Sequence, residues 1–349
     1  MDIKTIRSLM AQGLAIPAQP LALDNQRRLS ERHQRAITRY YLDAGVGGLA
    51  VGVHSTQFEI REPQHGLFEP VLALASEAID RHVSKRPILK IAGLCGDTPQ
   101  ALAEVGLALR HGYHAGLLSL AALKDAPVDA LIAHCCEVAK QFPIIGFYLQ
   151  PAVGGRVLPI EFWRRFAEIE NVLAIKMAPF NRYQTIDVVR AVVETGREDV
   201  LLYTGNDDSI VVDLLTSWKF EHQGRVAQRQ IAGGLLGHWG VWTHSAVSLL
   251  ERIKAARAEE TLSAAWLTEA AAVTDMNAAV FDAANKFHGC IPGILEVLRR
   301  QGLAPSNCCL NPQEILSPGQ AEELDRVTQA YPDLVDDEFV AENLDRWLD

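Results

Sequence analysis

Short apolar runs alternate along this chain with longer segments whose apolar residues recur every three to four positions. That alternation is the mark of parallel βα units. The runs predict strands at 14–18, 46–53, 87–93, 115–120, 143–149, 172–177, 200–204 and 230–236. The segments between and after them predict helices over 30–44, 68–82, 98–112, 128–141, 160–168, 183–195, 208–218 and 245–257. Ser30 and Thr98 are placed to cap their helices, Pro99 to open one, and Gly45 and Gly112 to end them. Eight strands followed by eight helices predict a fold of the α/β class, a (β/α)8 TIM barrel over residues 12–258.

Residues 259–349 carry no further strand pattern. Helical segments over 262–284 and 291–301 are followed by a polar tail with Pro312, Pro318 and Pro332, which predicts two more short helices. Their apolar faces need cover, so they are expected to form a C-terminal helical extension on the barrel or against another subunit.

The length of 349 residues suits one barrel of roughly 250 residues plus this appendage. Hydrophobic residues make up 48% and charged residues 22%, the balance of a soluble globular protein. No apolar run reaches membrane-spanning length, and the opening MDIKTIRSLMAQG lacks the apolar core of a signal peptide, so a cytoplasmic location without a membrane partner is expected. The formal net charge of −10 argues against nucleic acid and requires any anionic substrate to meet local cations or main-chain N–H groups. Cys95, Cys135, Cys136, Cys290, Cys308 and Cys309 match no zinc spacing, and no metal is expected.

Catalytic groups in such a barrel stand at the C-terminal ends of its strands. The sixth strand carries Lys176 near its C-terminal end, in phase with Val172 and Ala174. If that face points inward, burial disfavours the ammonium and makes the amine a nucleophile; the plain alternative is a lysine whose head reaches solvent. On the fifth strand Tyr148 shares a face with Ile144 and Gly146, which would set its phenol one strand away from Lys176 as a proton carrier, or else as an ordinary core tyrosine.

Tyr148-Leu149-Gln150-Pro151 followed by Ala174-Ile175-Lys176 resembles the dihydrodipicolinate synthase / N-acetylneuraminate lyase family, which has Tyr-x-x-Pro after the fifth strand and Ile-Lys ending the sixth. The segment 202–208 resembles that family's turn after the seventh strand, and 288–292 and 298–303 its C-terminal helical region. The resemblance implies a Schiff-base-forming aldolase or hydro-lyase. Lys176 would attack pyruvate or another 2-oxo acid and Tyr148 would shuttle protons. Gly205, Asn206 and Asp207 would line the substrate site, with an aldehyde as the second reactant. It further implies a homo-oligomer and no cofactor.

The departures point away from lysine-pathway synthase activity. Gly52–Glu59 replaces the family's Gly-Thr-Thr-Gly-Glu, leaving Ser55 and Thr56 to hold a carboxylate, with His54 as a proton-transfer group or a packed imidazole. Residues 119–123 lack the synthases' second tyrosine, and Val153 stands near their arginine, with Arg156 three positions on. His238, Trp239 and Trp242 are placed to shape a pocket for a bulky aldehyde or to pack against the C-terminal helices. The rival reading is a non-catalytic barrel that binds a small acid as a sensor or interaction protein. A phosphate-binding isomerase finds weaker footing in Gly233, Gly234 and Gly237.

Overall fold

A computed structural model describes residues 1–83, 86–222 and 224–349. The chain opens with α1 (Ile3–Ala11), β1 (Ala15–Pro17), α2 (Glu31–Ala44), β2 (Gly48–Val51), α3 (Phe68–Arg81) and β3 (Leu89–Leu94). There follow α4 (Thr98–Arg110), β4 (Ala115–Leu118), α5 (Val128–Gln141), β5 (Ile144–Leu149), α6 (Ile160–Ala167), β6 (Val172–Ala178), α7 (Arg182–Glu194) and β7 (Leu201–Thr204). Next are α8 (Ile210–Leu215), β8 (Ser217–His222), β9 (Arg225–Gln230), β10 (Gly233–Leu236) and α9 (Thr243–Ala256). The C-terminal part holds α10 (Ala265–Val280), α11 (Cys290–Arg300), α12 (Gln320–Ala330) and α13 (Asp337–Leu348).

Eight strands form one sheet in the order β1-β10-β7-β6-β5-β4-β3-β2. A parallel bridge between Ala18 and Ala50 joins the two ends of that order. The result is a TIM barrel with a C-terminal helical part, as the alternation of strands and helices predicts. Every residue of β5 and β6 is buried, which explains why both read as near-continuous apolar runs rather than alternating ones, with Lys176 the charged residue within β6. Among the described residues no helix is long and apolar enough to cross a membrane.

Two compact units can be distinguished: Met1–Leu14 with Ile91–Leu235, and Ala15–Lys90 with Leu236–Asp349. In the first, α6 lays Phe162, Trp163 and Phe166 on the sheet. A Cβ on Gly146 would lie 2.6 Å from the Phe166 ring, so glycine lets α6 sit close to β5. In the second, the C-terminal helices hold α2 and α9. Asp336 accepts from the Tyr40 hydroxyl at 2.6 Å, the His244 main chain at 2.9 Å and Gln301 at 3.0 Å. Asp43 on α2 accepts from the Trp347 indole at 2.6 Å.

Several expected boundaries shift. The helix expected over 208–218 is only the six residues of α8. Its expected end belongs instead to an antiparallel hairpin of β8 and β9, so the eighth barrel strand begins at Gly233 rather than at 230. The physical reason is a period of two: Trp218 is buried between the exposed Ser217 and Lys219, and Gly224 takes a positive φ of 72° where the chain turns. Helix α4 is capped by Asp97, which accepts from the Gln100 N–H at 3.1 Å, while Thr98 is already helical and bonds His134 at 2.8 Å. Ser30 occupies its N-cap position, yet its hydroxyl bonds His33 and not the helix backbone. Helix α1, capped by Asp2, was not foreshadowed by any apolar run; it buries only Ile6 and Met10.

Candidate active site

Lys176 lies on β6 and is 7% exposed. Its register partners are Phe147 on β5 and Tyr203 on β7, and its ammonium nitrogen lies 4.3 Å from the centroid of the Phe147 ring. Burial lowers the amine's pKa to about 8, against the opposing pull of the Asp207 carboxylate. The turn after β7 closes over the side chain: a Cβ on Gly205 would lie 2.6 Å from Lys176 Cε and 3.0 Å from Ala178 Cβ. Glycine is therefore required there for Lys176 to keep its position.

That turn is braced from behind. Gly205 N–H donates to Met177 O at 2.7 Å. The Asn206 amide nitrogen donates to Thr185 Oγ1 at 3.0 Å and Asp213 Oδ2 at 2.9 Å, and its oxygen accepts from Phe180 N–H at 3.1 Å. Asp213 is fully buried; it also accepts from Thr204 Oγ1 at 2.7 Å and pairs with Arg182. Asn206 thus acts as a brace between α7, α8 and the turn, its side chain already engaged. Of the three residues expected there, the structure sets Gly205 and Asp207 about Lys176 and turns Asn206 away into this network.

Tyr148 does not share the face of Lys176, contrary to the expected arrangement. Its register partner is Met177, one residue out of phase with Lys176. In phase with Gly146, it meets α6: its ring centroid is 5.1 Å from that of Trp163. Its hydroxyl donates to Leu158 O at 3.3 Å and accepts from Leu158 N–H at 3.2 Å. Burial raises the phenol's pKa. The residue beside Lys176 on this strand is Phe147, which sequence reading missed because the register shift between Ile144 and Ile145 hides the phase of β5.

In the second unit, the hydroxyls expected to hold a carboxylate are bonded to main chain. Ser55 Oγ donates to Ala18 O at 2.9 Å, and Thr56 Oγ1 donates to Gln19 O at 2.6 Å while accepting from Gly52 and Val53 N–H. His54 makes a tilted ring contact with Phe58 at 5.9 Å. Arg156 donates to Leu123 O and Ala126 O, so it braces a loop. His238, Trp239 and Trp242 are all buried. His238 stands edge-on to Trp242 and bonds Asn277 of α10, and burial brings its pKa to about 4. His238 and Trp242 thus meet the C-terminal helices, Trp242 bordering Val297 and Arg300 of α11, the second of the two roles considered for them. Among the described residues no His, Cys, Asp and Glu cluster could hold a metal ion.

No family model matches the chain. A curated relative, the 4-hydroxy-tetrahydrodipicolinate synthase of Alkaliphilus oremlandii, is 30% identical over 142 residues, which are 40% of this chain and 47% of the relative. The chain thus matches about half the length of that relative. Solved structures are similar over most of the chain. The chloride-inhibited dihydrodipicolinate synthase of Acinetobacter baumannii, complexed with pyruvate, aligns with a TM-score of 0.73 at 16% identity, covering 93% of this chain and 99% of that one. The Thermotoga maritima dihydrodipicolinate synthase aligns at 0.72 with 18% identity, covering 92% and 99%. CdNal of Clostridium difficile, in complex with mannosamine, aligns at 0.70 with 15% identity, covering 91% and 99%. The chain has the barrel fold of these enzymes over nearly its whole length, and in sequence it resembles the dihydrodipicolinate synthase / N-acetylneuraminate lyase family.

Proposed function

We propose that this protein is a class I lyase whose Lys176 forms an imine with pyruvate or another 2-oxo acid. The observation that carries the proposal is a buried lysine with its pKa lowered to about 8. At pH 7 roughly one amine in ten would be unprotonated, against about one in three thousand for an ordinary lysine. The unprotonated nitrogen attacks the ketone carbon, the carbonyl oxygen gains a proton, and the carbinolamine loses water to give the imine. The imine then accepts the electron pair released when a C3–H or C3–C bond breaks, so an aldehyde can be added or expelled. The Acinetobacter relative's complex with pyruvate supports the choice of 2-oxo acid.

With Tyr148 held at Leu158, the proton carrier in this reading is Asp207, whose charge acts on Lys176. Tyr148 would serve that role only after leaving Leu158 and Trp163. A second reading, a non-catalytic barrel that binds a small acid, is favoured by the same displacement of Tyr148 and by the engaged hydroxyls of Ser55 and Thr56.

Borohydride reduction in the presence of pyruvate and a panel of larger 2-oxo acids separates the two. The lyase reading expects a covalent mass on Lys176, absent from Lys176→Arg because arginine stays charged. A folded protein that traps no acid would leave the binding reading.

A further inference from the structure

Within the second unit, α2, α3 and α13 line a cleft of about 440 Å³ that plays no part in the chemistry above. Among the described residues Arg35, Arg39, Arg81 and Arg346 line it, with Asp43 and Glu77 as the carboxylates. Four positive charges against two negative leave the described lining at +2, counting histidine as neutral, on a chain whose net charge is −10 on the same count. Both carboxylates are shared. Glu77 binds Arg81 at 2.5 Å and Arg35 at 3.3 Å; Asp43 binds Arg346 at 2.7 Å, His82 at 2.9 Å and the Trp347 indole at 2.6 Å. Glu31, outside the lining, takes the other side of Arg35 at 2.9 Å.

Arg39 differs from the other three. It is half-buried; among the described residues it donates to Trp347 O at 2.5 Å and to no other group, and no carboxylate pairs with it. A guanidinium has five N–H donors in a planar fork that matches the paired oxygens of a phosphate or carboxylate. A cleft with surplus charge and an arginine lacking a carboxylate is complementary to a small dianion.

We propose that this cleft binds such a dianion, of phosphate or dicarboxylate type, with Arg39 as the fork that receives it. The site is independent of Lys176 and of the reaction proposed for it.

Titration calorimetry of the full chain at low salt, with inorganic phosphate and separately with succinate, tests the proposal. Saturable binding of at least one anion is expected, and which one binds identifies the type. Arg39→Gln should weaken it tenfold or more. Glu77→Gln should tighten it severalfold, because Arg35 and Arg81 are released toward the ligand. Arg39 also holds α13 through Trp347, so Arg81→Gln, which leaves that contact alone, should weaken binding as well, and thermal melts confirm folding of each variant. Arg190→Gln, on α7, should change nothing. No saturable heat with either anion overturns the proposal, as does an affinity that Arg39→Gln and Glu77→Gln leave unchanged or that Arg190→Gln lowers equally.

Discussion

The Lys176 ammonium lies 4.3 Å from the centroid of the Phe147 ring, its partner in the β5–β6 register. The ring face is electron-rich and favours the protonated amine, opposing the desolvation that lowers its pKa. Phe147→Leu keeps an apolar neighbour and removes this attraction. The midpoint of the pH–rate curve for borohydride trapping should then fall by about half a unit. An unchanged midpoint would show that the ring contributes packing alone.

Asp207 pulls the same equilibrium in the same direction, through its charge. In the wild-type protein, trapping should rise with pH through a midpoint of about 8, since only the unprotonated amine reacts. Asp207→Asn removes the negative charge, so the ammonium is less favoured and the midpoint moves lower. If Asp207 also carries protons, the plateau rate at high pH should drop by about two orders of magnitude. A shifted midpoint with an unchanged plateau would leave Asp207 an electrostatic role only.

Burying Lys176 costs stability, and the cost depends on pH. The folded pKa of about 8 lies below the ordinary 10.5, so between these values the unfolded chain binds the extra proton. Stability therefore rises as pH increases through this window, and the penalty is complete below pH 8. Lys176→Met should stabilise the protein at pH 7 by on the order of 3 kcal/mol at most, with the gain shrinking toward pH 10. Urea melts of both proteins at the two pH values check this; a gain that does not depend on pH would point to packing.

Tyr148→Phe distinguishes the two faces of β5. Among the described residues the hydroxyl bonds only the Leu158 main chain, and the ring packs on Trp163. Its removal should leave the trapping rate within about threefold and lower stability by about 1 kcal/mol. A hundredfold loss of rate in a stable protein would mean that Tyr148 reaches the lysine during turnover.

The barrel was legible because its strands are buried on both sides and its helices are amphipathic. Those patterns survive in β5, β6 and the helices that follow them. Lys176 was legible for the same reason, since a lysine ending an apolar run must be either a snorkelling tail or a buried amine. The phase of Tyr148 was not. A run such as Ile144–Leu149, apolar throughout, carries no polar alternation to say which residues face the helices. The β5–β6 register also shifts between Ile144 and Ile145, which separates the two strands' phases by one. The β8–β9 hairpin was hidden for another reason: a two-stranded insertion interrupts the βα rhythm that the rest of the chain keeps.

Behind the turn that carries Gly205, Asp213 is the centre of the brace. Asp213 is wholly buried and receives Thr204 Oγ1 and Asn206 Nδ2 on one oxygen and Arg182 on the other. Asp213→Asn has almost the same shape but a single acceptor oxygen. Whichever way the amide is turned, its NH2 group faces a donor, and Arg182 loses its counter-charge. Removing one partner of a buried pair costs about 3–5 kcal/mol, and the half-exposed Arg182 places the expected loss at the lower end. Because Asn206 connects Asp213 to the turn carrying Gly205, the damage should reach Lys176. Trapping should slow roughly tenfold or more in protein that is still folded, measured well below its melting temperature. Replacing Asp213 and Arg182 together, as Asn and Gln, should recover part of the stability, because no unpaired guanidinium is left. Recovery of stability without recovery of trapping would show that the Asp213 carboxylate itself holds the turn. Wild-type trapping in Asp213→Asn would confine the brace to folding.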